Sequence, residues 1–402
     1  MTLSELLATL PDNPRVVVTG NHATPWHVLG LVDAALDRYR LWALNGQPGL
    51  PDREGVELET SFVGPGQRRS PRLRYVPSRL SLVPTLFHRL QVPDLVVVHT
   101  TPPRDGFVSL GVEVNVLPAA IEAARAHGGK VVAQVNAEMP WTHGDALVPV
   151  DHVDLVVPAD GALPTAPSHP IDDDSAHIGS LVAERVGDGS TLQAGIGAVP
   201  DATLRGLTGR TGLRIWTEMF SDSVLALEQA GALDPSVPIR SSFLFGSAEL
   251  LAWVHDNPRV EMLRTETTND PARIARNHGM TSVNTALQVD LFGQANASRI
   301  NARIHSGFGG QTDFIVGALH SPGGQALIAL RSWHPKADLS TIVPMVEEPL
   351  TSFQMSAVVT EQGVADVFGH DQREQAANLI TRAAHPSVRD ELWEEAAELG
   401  LA

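Results

Sequence analysis

The sequence contains no cysteine, and its acidic residues far outnumber its basic ones. Without cysteine among its 402 residues, the chain has no disulfides, no thiolate zinc sites and no cysteine nucleophile. Lysine and arginine together number 29 against 46 aspartates and glutamates, which gives a formal net charge of −17. Such a surface repels nucleic acids and anionic membranes, so we predict neither as a partner.

The chain also lacks the features that would carry it into or across a membrane. No apolar run approaches the roughly 20 residues of a membrane-spanning helix. The first residues have neither the basic segment nor the long apolar stretch of a secretory signal. We therefore predict a cytoplasmic protein.

Several catalytic signatures are missing as well. The sequence holds no Gly-x-Ser-x-Gly elbow, no His-Glu-x-x-His helix and no Gly-x-x-x-x-Gly-Lys phosphate loop. Its 16 histidines are scattered without the spacing of metal ligands, so we predict no metal cofactor. These absences argue against the commonest serine hydrolases, zinc proteases and P-loop enzymes.

Short apolar runs in the first half predict buried strands. The runs are apolar throughout rather than alternating, which is typical of strands that are covered on both faces. Residues 117–127 are rich in alanine and stop at Gly128-Gly129, which predicts a helix. A strand–helix–strand unit of this length favours a parallel sheet. The predicted strands are 15–19, 94–99, 130–135 and 153–157.

A stretch rich in proline and aspartate at 158–174 predicts a linker between two domains. The second half repeats the α/β pattern and begins with a helix predicted at 175–186. We predict an α/β fold with mostly parallel sheets and with domains at 1–165 and 175–402. The further predicted elements are strands at 213–217, 325–330 and 356–360 and two C-terminal helices within 371–399 that break at His385-Pro386.

Two glycine clusters are candidates for ligand-binding loops. Gly195 and Gly197 lie between a short apolar segment and a helix predicted at 201–207. Glycines let a backbone approach a ligand, and a helix N-terminus offers N–H groups to an anion. A tight strand-to-helix turn would need the same glycines, so both interpretations stay open. Gly307, Gly309 and Gly310 form the second cluster, and three glycines in four residues cost more backbone entropy than a purely structural loop usually spends.

Two carboxylates follow predicted strands. Glu361 stands in Thr360-Glu361-Gln362-Gly363, directly after an apolar strand, and Glu218 follows the strand at 213–217. The carboxyl ends of strands are where α/β proteins place their chemistry. The position of Glu361 is compatible with a cap or with a general base, for which a raised pKa would suit it.

Eight segments in this order resemble the acetyl-CoA hydrolase/CoA-transferase family, which includes 4-hydroxybutyrate, butyrate, acetate and succinate CoA-transferases. The resemblance covers nearly the whole chain, and its strength comes from the order of the segments rather than from any one of them. The segments are Arg74–Pro77, Asp105–Gly111, Gln134–Pro140, Gly195–Gly197, Thr217–Asp222, Gly307–Phe314, Thr360–Asp366 and Ala384–Pro386.

The resemblance implies two related α/β domains with an active-site cleft between them. It implies acyl-CoA and a carboxylate acceptor as substrates, coenzyme A as the carried group, and a homo-oligomer. In the family a glutamate attacks the thioester and carries the acyl group and then CoA. By resemblance, the Gly363 turn and the helix after Gly197 donate N–H groups to the oxyanion, and Gly309 and Gly310 let the substrate approach the backbone.

One position departs from the family pattern. The family's nucleophile segment has the form Asn-x-x-x-Glu-x-Asp followed by Gly-x-x-Asn. The segment that resembles it begins here at Asn284 and has Gln288 where the glutamate is expected. A neutral amide cannot act as a carboxylate nucleophile. Asp290, Gly293 and Asn296 keep the other fixed positions of the pattern.

Three accounts of the activity follow. The protein hydrolyses acyl-CoA, with Gln288 orienting water and Glu361 or Glu218 acting as the general base. It transfers acyl or CoA groups directly in a ternary complex. It binds acyl-CoA without turnover. A Glu→Gln substitution introduced to trap a complex would give the same sequence.

Overall fold

The computed structural model describes residues 1–166 and 170–402, and the chain divides into two compact units. Unit 1 comprises Met1–Pro167, Pro238–Thr268 and Ile304–Gly309, and unit 2 comprises Ser168–Val237, Asn269–Arg303 and Gly310–Ala402. The chain first passes from unit 1 to unit 2 within the predicted linker at 158–174. Residues 167–169 of this linker lie outside the described residues. Two stretches of the predicted domain 175–402, at 238–268 and 304–309, are counted with unit 1.

Unit 1 is built on a seven-stranded sheet in which every neighbouring pair is parallel. The two strands at its centre, Arg15–Val18 and Leu95–Thr100, are buried along their whole length, as the unbroken apolar runs predict. In spatial order the strands are Leu155–Pro158, Lys130–Val135, Leu95–Thr100, Arg15–Val18, Tyr39–Ala43, Val56–Thr60 and Leu73–Tyr75.

Smaller elements complete unit 1. Its segment 238–268 joins it through a parallel three-stranded sheet, in which Val260–Met262 lies between Ile239–Ser241 and His143–Gly144. The helices of unit 1 are Leu3–Leu7, Trp26–Ala35, Val83–Arg89, Leu117–Ala126, Ala248–Val254 and Thr265–Thr268, with 3-10 turns at Asn21–Ala23, Leu80–Leu82 and Val150–His152. Its further short strands are Phe107–Ser109, Leu147–Pro149 and Phe243–Leu244.

Unit 2 contains a six-stranded sheet that is parallel except at one edge, where Gly363–Asp366 runs antiparallel to Ala357–Thr360. In spatial order the strands are Arg214–Ile215, Thr191–Ala194, Thr281–Asn284, Gln325–Ala329, Ala357–Thr360 and Gly363–Asp366. Gln288–Asp290 forms a second, small sheet with Ala295–Asn296 and Ile342–Val343. The predicted α/β fold with mostly parallel sheets is therefore confirmed.

The helices predicted in unit 2 are present with shifted ends, and Asp222–Gln229, Pro271–Ile274 and Gln311–His320 are helices that were not predicted. The helix predicted at 201–207 begins earlier, at Ala198, and Gly197 is its N-cap residue. The C-terminal stretch breaks at 384–385, as expected, although a π-helical segment, Leu379–Ala383, ends its first part. The α-helices are Asp173–Glu184, Ala198–Gly206, Asp222–Gln229, Pro271–Ile274, Gln311–His320, Gln372–Asn378 and Arg389–Glu398, with a 3-10 turn at Pro386–Val388. Short strands elsewhere are Met219–Phe220, Arg299–Ile300, Arg303–Ile304, Trp333–His334 and Leu339–Ser340.

In each large sheet there is a gap between two neighbouring strands from which the following strands are added on opposite sides. In unit 1 this gap lies between Arg15–Val18 and Leu95–Thr100, because the chain continues to opposite sides from these two strands. In unit 2 it lies between Thr191–Ala194 and Thr281–Asn284 for the same reason. Loops that diverge at such a point leave a crevice at the carboxyl ends of the strands, which is where open α/β sheets bind their ligands.

Candidate active site

Polar side chains connect the two strands beside the crevice of unit 2. The Gln193 Oε1 atom accepts hydrogen bonds from Ser282 Oγ at 2.7 Å and from Asn284 Nδ2 at 3.2 Å. Asn284 Nδ2 also donates to Ser282 Oγ at 2.8 Å. This network orients Asn284 at the point where its strand ends and the segment of Gln288 begins.

The Gly195–Gly197 loop follows the other strand of the crevice. Gly197 has φ +123°, a conformation that favours glycine, and it caps the helix Ala198–Gly206. A Cβ added at Gly195 or Gly197 would meet no atom of residues 1–166 or 170–402 within 4 Å, so these residues leave the space beside both glycines open. The N–H groups at the start of the helix belong to Ala198 and Val199, since Pro200 has none. The loop is therefore suited to an anionic or oxyanionic group.

Gln288 begins the short strand Gln288–Asp290, where it lies opposite Asn296. Its side chain is half-buried and makes no hydrogen bond within residues 1–166 and 170–402. Asp290, two residues later, is 3% exposed and accepts backbone hydrogen bonds from Phe292, Gln294 and Val346 at 3.1, 2.8 and 3.1 Å. Burial raises the pKa of Asp290, although these three hydrogen bonds oppose the change. Asp290 therefore holds the turn that follows Gln288.

Glu361 and Gly363 belong to a tight hairpin in which Thr360 pairs with Gly363. The Glu361 carboxylate accepts hydrogen bonds from the Ser332 backbone N–H at 2.9 Å and from the Ser332 hydroxyl, and a third comes from Gln362 Nε2 at 3.2 Å. Burial acts to raise the pKa of Glu361, but these hydrogen bonds outweigh it and hold the pKa below its ordinary value. This direction is opposite to the raised pKa that would suit a general base.

The glycines of the second cluster lie close to protein atoms. A Cβ added at Gly307 would come within 2.5 Å of the Ser61 carbonyl oxygen, and one at Gly309 would come within 3.1 Å of the Phe62 ring. Gly309 also has φ +54°. In unit 1 these two glycines therefore permit close packing against the chain at 61–62, independently of any ligand.

Gly310 has a different neighbour, the carboxylate of Glu218. A Cβ added at Gly310 would lie 1.9 Å from Glu218 Oε2 and 2.2 Å from Asn269 Nδ2. Asn269 Nδ2 donates a hydrogen bond to Glu218 Oε2 at 2.8 Å. Gly310 is required here for space rather than for backbone freedom, since its φ is −96°.

The environment of Glu218 changes its affinity for protons. Burial raises the pKa of Glu218 to about 7, against the hydrogen bond from Asn269, and the charge of Asp313 raises it further. Asp313 is 1% exposed and lies in the first turn of the helix Gln311–His320. Thr217 fixes the backbone beside Glu218 because its hydroxyl donates to the carbonyl oxygens of Ala194 and Met219 at 3.2 and 2.9 Å. A carboxylate with a pKa near 7 can take up and release a proton at neutral pH.

Sequence reasoning included Glu218 but missed its partners. Asn269 lies 51 residues from Glu218 in the chain, and no motif contains both. Asp313 belongs to the Gly307–Phe314 segment, where the glycines gave the only functional signal. The described residues hold no group of acidic or histidine side chains that could bind a metal ion. None of the helices they form has the length and apolar character needed to cross a membrane.

Comparison with known proteins identifies the family. Residues 62–166 match the acetyl-CoA hydrolase/transferase N-terminal domain, and residues 246–396 match the C-terminal domain of the same family. The chain is 35% identical to the succinyl-CoA:acetate/propanoyl-CoA:succinate CoA transferase of Fasciola hepatica, in an alignment that covers 96% of this chain and 85% of that protein. The chain belongs to the acetyl-CoA hydrolase/transferase family. The resemblance found in the eight sequence segments is thereby confirmed.

Two further similarities support the assignment. The 4-hydroxybutyrate coenzyme A transferase of Clostridium kluyveri is 36% identical over 83% of this chain and 80% of its own length. The crystal structure of RipA from Yersinia pestis is 26% identical and superimposes with a TM-score of 0.92, covering 100% of this chain and 98% of RipA. Members of this family are CoA-transferases and acetyl-CoA hydrolases, and they share the α/β fold described above.

Proposed function

We propose that this protein hydrolyses acyl-CoA thioesters, with Glu218 as the general base. The observation that carries the proposal is the Glu218 carboxylate, which has a pKa of about 7 and is fixed by Asn269 and by the absence of a side chain at Gly310. Gln288 stands where the family resemblance places the nucleophilic glutamate. A route through a glutamyl anhydride at that position is therefore closed, and water takes the place of the carboxylate nucleophile.

The reaction needs one proton acceptor and one oxyanion site. A water molecule, oriented by the Gln288 amide, gives a proton to Glu218 as its oxygen attacks the thioester carbonyl carbon. The negative charge that develops on the carbonyl oxygen is stabilised by the N–H groups of Ala198 and Val199 at the start of their helix. The C–S bond then breaks, the CoA thiolate leaves and takes up the proton, and the carboxylic acid is released.

Glu218 is preferred over Glu361 because of their protonation behaviour. The hydrogen bonds from Ser332 and Gln362 lower the pKa of Glu361 and occupy its carboxylate, so it is a weaker proton acceptor near neutral pH. We propose that Glu361 instead positions the chain at Ser332. The Gly363 turn stays a candidate for a second N–H donor to the oxyanion.

The test is an analysis of products from the purified protein. A panel of acyl-CoAs is incubated in ¹⁸O-water with and without a carboxylate acceptor, and all CoA species and free acids are identified by mass spectrometry. The proposal predicts free CoA in both tubes and one ¹⁸O atom in the released acid. A new acyl-CoA that appears only with the acceptor would establish direct transfer instead, and a bound but unchanged acyl-CoA would establish a binding protein.

The matched variants are Glu218→Gln and Glu184→Gln. Glu184 is an exposed glutamate of the same unit, so its substitution removes the same charge away from the site. Loss of hydrolysis in the first variant and its retention in the second would support Glu218 as the base. Equal activity of the two variants would contradict it.

A further inference from the structure

Unit 1 contains a pocket beside the carboxyl ends of two neighbouring parallel strands, Lys130–Val135 and Leu155–Pro158. The segment 137–140, which follows the first strand, forms one wall, and three residues of 162–165, which follow the second strand, form another. The third wall comes from the helix Ala248–Val254. The loops at the carboxyl ends of parallel strands are where α/β proteins bind ligands, so the position of this pocket suits a binding site.

Hydrogen bonds hold the walls of this pocket together. Asn136, which is 5% exposed, donates from Nδ2 to the Gly161 carbonyl oxygen and accepts at Oδ1 from the Glu138 N–H, both at 2.9 Å. The Ala166 N–H donates to the Gly246 carbonyl oxygen at 3.0 Å, two residues before the helix begins. The pocket is therefore formed in the free protein, as most sites for small molecules are.

The size and the floor of the pocket favour a small molecule with an apolar body. Most of the residues that line it are apolar, and two of them, Met139 and Leu163, are 1% and 8% exposed. An apolar cavity of about 150 Å³ accommodates benzene. The volume of this pocket, about 300 Å³, is therefore sufficient for one ring with a polar substituent.

Three polar side chains line the same pocket: Glu138, Thr165 and His255. The Glu138 carboxylate and the Thr165 hydroxyl make no hydrogen bond within residues 1–166 and 170–402. His255 Nδ1 accepts a hydrogen bond from the backbone N–H of Trp141 at 3.2 Å. A backbone N–H can only donate, so the neutral imidazole carries its proton on Nε2, which has no acceptor in the part of the chain that the structure describes.

Glu138 and His255 need opposite hydrogen-bonding partners. A carboxylate only accepts and the Nε2–H group only donates, so a ligand that satisfies both must carry a donor and an acceptor. A carboxylate ligand would meet the like charge of Glu138, and a cationic ammonium or amidinium group has no acceptor for the imidazole N–H. A primary carboxamide combines N–H donors with a carbonyl acceptor and has no charge.

We propose that this pocket of unit 1 binds a small uncharged carboxamide. Its apolar body lies against Met139 and Leu163, its N–H group donates to Glu138, and its carbonyl oxygen accepts from His255 Nε2. The site is independent of the proposed hydrolysis, since none of the residues assigned to that reaction lines the pocket. The protein thus has a second ligand besides acyl-CoA.

The experiment is ligand-observed NMR on the full-length protein with three probes of the same shape: benzamide, benzoate and benzamidinium. Benzamide carries a donor and an acceptor, benzoate only acceptors and benzamidinium only donors. Benzamide is expected to bind with a dissociation constant of about a millimolar, as befits a ligand of so few atoms. Benzamidinium should bind at least about tenfold more weakly. Equal or tighter binding of benzamidinium, or no binding of benzamide up to about 50 mM, would overturn the proposal.

One variant locates the site. Ala252→Phe brings a ring into the pocket from an exposed position of the helix Ala248–Val254, so it should abolish benzamide binding. The matched control is Ala34→Phe, at an exposed position of the helix Trp26–Ala35 that does not line the pocket, and it should bind benzamide as the wild type does. Undiminished binding by Ala252→Phe would contradict the proposal.

A second variant should change the selectivity of the pocket, which a misfolded protein cannot do. Glu138→Gln removes the charge that repels benzoate and supplies an amide donor, so binding of benzoate that Ala252→Phe abolishes should become at least about tenfold tighter. The exposed control Glu184→Gln should leave the binding of all three probes unchanged. If Ala252→Phe fails to fold, competition between benzoate and benzamide in Glu138→Gln decides, and unchanged benzoate binding in this variant would contradict the proposal.

Discussion

The crevices of the two units have the same topological origin but different chemistry. In unit 1 a buried carboxylate, Glu113, is held in place by the amides of Asn21 and Asn115. In unit 2 the two strands beside the crevice are joined by the amide side chains of Gln193 and Asn284, through Ser282. The carboxylate of unit 2 comes instead from the neighbouring strand end, at Glu218. A common sheet topology thus sets where a ligand can bind, and the side chains at the strand ends set what the site can do.

The largest effect is expected from removing the titrating carboxylate of unit 2. Glu218→Gln should lower kcat about 100-fold or more with little change in KM, because an amide cannot take a proton from water. Steady-state kinetics on a good acyl-CoA substrate measure this effect. A rise in KM at unchanged kcat would assign Glu218 to substrate binding rather than to proton transfer.

Placing a carboxylate at position 288 should add an activity to unit 2, whereas Glu218→Gln should remove one. Gln288→Glu should give the protein carboxylate-dependent CoA exchange and an enzyme adduct that hydroxylamine cleaves, because Asn284 and Asp290 already hold the surrounding segment. The exchange should rise from background to a rate at least about tenfold above it. Exchange at background in a correctly folded variant would mean that the rest of the transferase site is not intact.

A smaller effect is expected from disturbing the position of Glu218 alone. In Gly310→Ala the new methyl group would overlap the Glu218 carboxylate, so the carboxylate must move, and a displacement of about 1 Å can cost up to about 100-fold in rate. We expect about a tenfold loss of kcat and a small loss of stability, since the end of a side chain can shift. Gly209→Ala is the matched control, because a Cβ there would meet no atom within 4 Å in the part of the chain that the structure describes. Equal activity of the two variants would show that the contact does not position Glu218.

The smallest effect concerns stability. The folded-state pKa of Glu218, about 7, lies above the ordinary value of 4.5, so the folded protein binds more protons between these values and loses stability as the pH rises through them. Glu218→Gln avoids this loss and should therefore be more stable than the wild type at pH 8, by about 1 kcal/mol after solvent screening, but not at pH 4. Urea unfolding at both pH values measures the difference. The same gain at both pH values would contradict a pKa raised by burial.

Local patterns in the sequence predict the fold well and the candidate site only in part. Apolar runs and glycine stops identify seven strands of the two large sheets, since both signals lie within a few residues. Tyr39–Ala43, Thr281–Asn284 and the helix Gln311–His320 are among the elements that they do not identify. The pairing of 260–262 with 143–144 in unit 1 links segments more than 100 residues apart, and no local pattern predicts it. Gly310 was predicted to let the substrate approach the backbone, but the space beside it holds the Glu218 carboxylate, and Gly307 and Gly309 pack against residues 61–62.

The protonation of the carboxylates was the least predictable feature. Glu361 and Glu218 both follow strands of one sheet, and nothing in their local sequences separates them. Ser332, 29 residues from Glu361, lowers the pKa of that carboxylate, while burial near Asp313 raises the pKa of Glu218. Such differences depend on tertiary contacts, so they appear only when the strand ends are assembled.

If Glu218 accepts a proton during acyl-CoA hydrolysis, the pH dependence of kcat/KM reports the ionisation of its carboxyl group. A base must be deprotonated, so the rate should rise with pH and level off above an apparent pKa of about 7. Asp313→Asn removes a negative charge from the surroundings of Glu218 and should move this pKa downwards, while Glu184→Gln should leave it unchanged. A pH-independent kcat/KM across this range, or a profile that Asp313→Asn does not move, would contradict the account.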